Sequence, residues 1–204
     1  MNLLLDLVVP QLARPRGPLG RLLAPVLDRG NRTINLHVVG ALELEAGHRV
    51  LEVGFGGGVG LALALAHEPR ITLAGLDPSS DMVERCRRRF GDRVELQQGV
   101  VESLPWPDRT FDRIFGVNVT YFWPDLRAAL AELQRVLAPN GMLAFGIRPP
   151  ETLQRFQFAA AGHRVWTPAQ YVEALGAAGF IDASARRMPD EGGGAFVLTA
   201  RSRA

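Results

Sequence analysis

The sequence predicts an α/β protein, one parallel sheet covered by helices on both faces. Two observations predict it. From residue 49 onward, short apolar runs alternate with helix-compatible stretches, the pattern of strand-helix-strand crossovers. The first apolar run, Arg49-Val-Leu-Glu-Val-Gly54, also breaks into five glycines within seven residues, Gly54 to Gly60, before the helix-compatible Leu61-Ala-Leu-Ala-Leu-Ala-His67. Glycine takes backbone angles that other residues resist and leaves no side chain in the way. A strand, a bare turn and a helix start together make a place where a ligand lies against backbone amides.

Each element has its own signal. Arg49–Gly54 reads as the first strand and Gly58–His67 as the first crossover helix. Ile71–Leu76 is the second strand, and Asp77 ends it. An acid about 20 residues beyond a glycine loop is placed to accept hydrogen bonds from a ribose. Ser79 opens a helix that runs to Phe90 and stops at Gly91. Val94–Gln97 and Phe111–Asn118 are the third and fourth strands. In Pro124–Leu137, Leu126, Leu130, Leu133 and Leu137 share one helical face. Pro139-Asn140-Gly141 is a turn before a fifth strand, Met142–Ile147. Thr167-Pro168 has the cap and first-turn residues of a helix through Ala177, closed by Gly179. Phe180–Arg186 and Ala195–Arg201 follow as strands with eight residues between them, too few for a parallel crossover, so they pair antiparallel. The Gly192-Gly193-Gly194 triplet between them reads as a loop.

Residues 1–45 lie outside this alternation. Pro10, Pro15, Pro18 and Pro25 cut them into pieces, with helices expected near Leu19–Leu27 and Thr33–Leu44. Leu3, Leu4, Leu5 and Leu7, with several arginines, permit a membrane-surface role. The proline breaks favour a lid over the ligand site instead. Asn31, Arg32 and Asn35 then come close enough to meet polar groups of a ligand.

Bulk composition narrows the function. A chain of 204 residues, 47% hydrophobic and 22% charged, suits one globular domain. No apolar run reaches the ~20 residues of a membrane span, and Met1–Pro10 lacks the basic start and cleavage site of a signal peptide. A single cysteine rules out an internal disulfide and fits a reducing, cytoplasmic setting. All 23 basic residues are arginine, yet the net charge is only +2. Arg85, Arg87, Arg88 and Arg89 read as the solvated end of a helix, and no nucleic-acid module accompanies them. Cys86 is expected to be a buried small residue. His48 and His67 flank surface turns, and the four histidines show no metal-ligand spacing.

Five motifs in order resemble the class I S-adenosylmethionine-dependent methyltransferases, in particular the small-molecule group called type 11. They are Leu51-Glu-Val-Gly-Phe-Gly-Gly-Gly58, Gly75-Leu-Asp-Pro-Ser-Ser-Asp-Met82, Val101-Glu-Ser-Leu-Pro-Trp-Pro-Asp108 with Phe111-Asp112, Leu133-Gln-Arg-Val-Leu-Ala-Pro-Asn-Gly-Met142, and Trp166-Thr167-Pro168. The resemblance implies a seven-stranded Rossmann-like sheet of order 3-2-1-4-5-7-6 with strand 7 antiparallel. It divides the chain into an N-terminal helical lid, 1–45, and an S-adenosylmethionine-binding catalytic domain, 46–204.

The resemblance also implies roles. Gly54, Phe55, Gly56 and Gly58 would pass beneath the methionine and ribose of S-adenosyl-L-methionine. Glu52 would hold the amino group and Asp77 the ribose hydroxyls. Met82 would pack beside the adenine. Asn118 would offer backbone to the cofactor and side chain to the methyl-transfer chamber. One departure stands out: the family usually places an Asp-Ala type pair where this chain has Val100-Val101. The Val101 amide still meets the adenine, and Glu102 stands beside it as a substitute acceptor. One hydrogen bond changes binding by only ~1 kcal/mol, so the cofactor expectation stands.

Asn118-Val-Thr-Tyr-Phe-Trp123 is the expected reactive wall, with Thr120, Tyr121, Phe122 and Trp123 around a small apolar acceptor. A carboxylate or free amine needs no base, whereas a phenol or carbon acceptor does, and Tyr121, His37 and His163 are the candidates. Three other readings fit parts of the sequence. A nicotinamide domain would need Gly-x-Gly-x-x-Gly, but position 59 is valine. A binder of the cofactor that transfers no methyl would keep the loop and lack a base. A quinone-like, lipid-soluble acceptor would account for the oily N-terminus.

Overall fold

The computed structural model describes residues 30–155, 163–189 and 194–204. The expected helix near Leu19–Leu27, the first part of the lid and its membrane-facing leucines, and the glycine triplet up to Gly193 lie outside those residues. The described elements are α1 (30–41), β1 (Arg49–Val53), α2 (Val59–His67), β2 (Thr72–Asp77), α3 (Ser80–Phe90), β3 (Val94–Gln98), β4 (Phe111–Val117), α4 (Leu126–Val136), β5 (Leu137–Ile147), α5 (Pro150–Arg155), α6 (Pro168–Ala177), β6 (Ile181–Arg187) and β7 (Phe196–Arg201). Short 3-10 turns at Gly91–Arg93 and Thr120–Phe122 join them.

The seven strands lie in the order β3-β2-β1-β4-β5-β7-β6. Strands β1 to β5 pair in parallel, and β7 runs antiparallel to both β5 and β6. This is the strand order that the motif resemblance implies. The central strands are buried on both faces, which is why their sequences read as continuous apolar runs. One core cluster joins Val50 and Leu73 of the sheet to Leu61, Met82 and Cys86 of α2 and α3, to Ile34 and Val38 of α1, and to Leu42 just after it. The other packs Leu126, Leu130 and Leu133 of α4 and Tyr171 and Leu175 of α6 against Leu51, Ile114, Phe145 and Leu198.

Helix α1 covers 30–41 rather than 33–44. Its end has a physical cause: Glu43 turns to φ 50, and Arg113 Nε donates to the Leu42 carbonyl at 2.6 Å. The Pro139-Asn140-Gly141 turn falls inside the bounds of β5 as a bulge. The partner of Phe111 is Leu137, whereas that of Arg113 is already Met142, and Asn140 takes φ 58. Asp125 caps α4, accepting from the Arg127 and Ala128 amides. Thr167 and Gln170 close a capping box on α6. Ser79 stands at the N-cap of α3 without a side-chain capping bond; the Asp77 carboxylate takes its amide instead.

Candidate functional site

The carboxyl ends of β1, β2 and β4 bring the glycine loop, Asp77 and Asn118 to one edge of the sheet. The loop is built from left-handed turns: Gly54, Gly56 and Gly58 have φ of 72, 48 and 79°. A side chain at Gly54 would strike Val119, and one at Gly58 would come within 2.9 Å of Cys86 Sγ. At Gly56 a Cβ meets nothing within 4 Å, so this α-carbon faces open space. Sterics therefore demand glycine at 54 and 58 for packing, and at 56 only for its backbone angle and whatever lies above it.

Polar groups hold the loop from two sides. Asp77, 5% exposed, accepts the Gly56 amide and the Ser79 amide at 2.8 Å each, one per carboxylate oxygen. From behind, Cys86 Sγ donates to the Gly56 carbonyl at 3.5 Å and Arg89 Nη1 to the Gly57 carbonyl at 3.1 Å. The arginine run is thus only partly a solvated face. Arg88 pairs with Glu84 at the surface, but Arg87 reaches the Leu96 carbonyl and Arg89 the loop. Burial, reinforced by the charges of Glu52 and Asp77, pushes the Cys86 thiol up to about 12, so it stays neutral.

Glu52 is buried at the end of β1, and a Cβ on Gly60 would collide with its carboxylate. Phe55 and Met82 are both core residues, 3% and 1% exposed, and Phe55 packs against the bare face of Gly75. Val101 is buried, whereas Val100 is 41% exposed, an apolar side chain left open at the third strand's end. The half-buried Glu102 has an enclosed Oε1 with no hydrogen-bond partner among the described residues.

The wall after β4 is a polar relay. Asn118, at φ 58, donates from Nδ2 to Asn31 Oδ1 at 2.8 Å and accepts the Tyr121 hydroxyl at 2.5 Å. Arg148 Nη2 donates to the same Asn31 oxygen and to the Gly30 carbonyl. Tyr121 is buried, and desolvation raises its pKa well above the usual value, so the phenol keeps its proton and acts as a donor. Thr120 shares a 2.7 Å hydrogen bond with the Tyr171 hydroxyl of α6. His163 stacks edge-on against Phe122, and burial lowers its pKa, which leaves it neutral at pH 7. His37 is half-buried on α1. Trp123 packs edge-on against Phe145 and lines a groove of about 610 Å3 between α4 and α6, whose lining includes none of Gly54, Asp77 or Asn118.

Sequence reasoning missed Arg148, Tyr171, Val119 and the loop-bracing role of Arg89. No local signal marks them, because their partners lie far away in the chain. Among the described residues there is no His, Cys, Asp or Glu cluster able to hold a metal, and no helix long and apolar enough to cross a membrane.

The fold and the glycine-acid edge define an S-adenosylmethionine-dependent methyltransferase of class I. Comparison with known proteins agrees. Residues 51–145 match the family model described as a methyltransferase domain. The chain is 33% identical over 127 residues to the uncharacterized methyltransferase YdaC of Bacillus subtilis, covering 62% of this chain and 70% of that one. It is 38% identical over 118 residues to a fatty-acid O-methyltransferase of Mycolicibacterium smegmatis, over 56% of this chain but only 43% of that longer protein. In fold it resembles a putative methyltransferase solved with the Haloferax volcanii Trm112 activator, with TM-score 0.79 and 21% identity over 93% and 99% of the two chains. The chain belongs to the methyltransferase-domain family, type 11.

Proposed function

We propose that the chain moves a methyl group from S-adenosylmethionine to a small organic acceptor by in-line displacement. The carrying observation is the loop of Gly54, Gly56 and Gly58, whose Gly56 amide is fixed to Asp77 while its α-carbon faces open space. The Gly56 and Ser79 amides each donate to one Asp77 oxygen, which fixes the carboxylate at the edge of the sheet where it suits the hydroxyls of a ribose. Glu52 faces the amino-acid end. The Val101 amide, the enclosed Glu102 oxygen and the open side chain of Val100 suit an adenine ring. Met82 supports the ring from the core, and Asn118 offers its backbone at the end of β4.

When bound, S-adenosylmethionine supplies a methyl group already activated by a sulfonium charge. The chain's own tasks are alignment and the exclusion of water. Tyr121 holds Asn118 in place by donating a hydrogen bond, and Asn118 in turn is held by Asn31. A carboxylate acceptor needs no base, which suits this wall, and the fatty-acid O-methyltransferase relative is named for an acid of that kind. For an acceptor that must lose a proton, the neutral His163 is the better base, with His37 the alternative on α1. Thr120 shapes the chamber wall. Residues 1–45 act as its lid, with α1 the described part.

Isothermal titration of the folded protein with S-adenosylhomocysteine tests this reading. Micromolar binding at one site per chain is the expected result; no measurable binding would remove it. Release of S-adenosylhomocysteine from S-adenosylmethionine with a panel of small acids and phenols then identifies the acceptor class.

A further inference from the structure

Charge is divided along the carboxyl edge of the sheet. On one side of Asn118, β1 and β2 bring up the buried acids Glu52 and Asp77. On the other side, Arg148 follows β5 and Arg187 ends β6. Strand β7 runs antiparallel to both, so β5 and β6 end at the same edge. The register sets them level, since Ile147 pairs with Phe196 and Phe196 with Arg187. A Cβ on Gly194 would meet the Arg187 guanidinium at 3.3 Å and the Pro149 ring at 4.0 Å, so Arg187 packs near the residue after Arg148. Among the described residues neither arginine forms an ion pair, although the exposed Glu151 opens α5 close by in the chain.

Arg148 is the better placed of the two. Its side chain is half-buried. Nη2 is held by two neutral oxygens, the Gly30 carbonyl at 3.1 Å and Asn31 Oδ1 at 3.3 Å. That Asn31 oxygen also takes Asn118 Nδ2 at 2.8 Å, which puts the cation beside the wall of the methyl-transfer chamber. The Arg148 backbone hydrogen-bonds the Tyr121 hydroxyl, and its charge acts on that phenol. Neutral oxygens fix the guanidinium without cancelling its charge. A tie between α1 and β5 would need only the Nη2 end. Nε and Nη1 keep N–H bonds that no described residue accepts. A guanidinium fixed in this way is ready to receive an anion, and carboxylates suit it well.

We propose that Arg148 is a specificity-determining residue that binds an anionic group of the acceptor, so that the acceptor is a small carboxylic acid seated on the β5 side of Asn118. Arg187 adds to the positive field there. The inference rests on the S-adenosylmethionine reading of the glycine loop and names the acceptor class which that reading leaves open.

The test pairs acids with their neutral amides on the full chain loaded with S-adenosylhomocysteine. Octanoate is compared with octanamide, and benzoate with benzamide, by calorimetry. In the wild type at least one acid should bind about tenfold more tightly than its amide. Arg148→Gln should bring that ratio to within about threefold of unity, whereas Arg148→Lys, which keeps the charge, should retain a preference for the acid. A merely structural arginine would weaken acid and amide together and leave the ratio unmoved. If circular dichroism shows Arg148→Gln unfolded, Arg148→Met replaces it in the same comparison. No acid bound better than its amide by the wild type, or a preference that survives loss of the charge, would overturn the proposal. Wild-type protein that does not bind S-adenosylhomocysteine sinks the cofactor reading itself. Protein that binds it and shows no preference for acids sinks this inference alone.

Discussion

At the scale of single residues, the loop glycines separate into packing and access roles. At Gly54 an added methyl meets Val119, and the φ of 72° adds strain. Gly54→Ala should therefore destabilise the fold by about 2–4 kcal/mol, combining overpacking with backbone strain. Gly56→Ala meets no neighbour and pays only for its φ of 48°, about 1 kcal/mol. Its main effect should fall on cofactor binding. Urea denaturation and calorimetry on both variants check this; equal destabilisation would show that the space above Gly56 is not open. His163 gives a second prediction. Burial lowers its pKa below 6.5 in the folded chain, so the unfolded state binds more protons between the two values. Its contribution to stability is complete above pH 6.5 and is lost as pH falls through the folded pKa. The stability difference between wild type and His163→Asn should accordingly shrink from pH 8 to pH 5. A difference that stays constant over that range would contradict the burial of this ring.

At the scale of elements, the site depends on helices that do not touch the glycine loop. Helix α6 presents Tyr171 to Thr120 at 2.7 Å, which steadies the turn after β4. Its start is set by the reciprocal bonds of Thr167 and Gln170, at 3.2 and 2.8 Å. Thr167→Ala removes one half of that box and should cost about 1 kcal/mol in chemical denaturation. An unchanged midpoint would mean that Pro168 alone sets the helix start. Much of this level is legible in one sequence, because caps, turn residues and helical periodicity are local. The leucine stripe of α4, the Thr-Pro start of α6 and the short connection between the last two strands all describe contacts within a few residues. The misplaced ends are those where a distant group intervenes. Arg113 reaches across 71 residues to take the Leu42 carbonyl where α1 ends. The bulge that absorbs Pro139-Asn140-Gly141 forms because β5 pairs with β4 on both sides of it.

At the scale of the whole molecule, the core and the site are one construction. Cys86, on α3, is fully buried against the glycine loop, with its thiol pushed up to about 12. As the chain's single cysteine, it reports directly on opening of that region. A thiolate-selective reagent at pH 8 should label the native protein far more slowly than the urea-unfolded chain, and S-adenosylhomocysteine should slow it further by mass action. Labelling of the native protein within the mixing time would show that α3 does not brace the loop. Helix α1 shares the same core through Ile34 and Val38, with Leu42 just after it, so the segment read as a lid is packed into the domain at its C-terminal end.

By itself the sequence determined the strand order through its family motifs, the glycine loop, the acid at the end of β2 and the antiparallel final pair. The strand order is what the resemblance of those motifs implies; the loop, the acid and the final pair are matters of turn chemistry and spacing, which a linear string records. Only the tertiary structure decided which side chains meet at the reactive edge. The relay from Tyr121 through Asn118 to Asn31, shared with Arg148, joins residues 87 and 117 positions apart. Burial and direction fix such contacts, and a residue's type and place in the chain record neither.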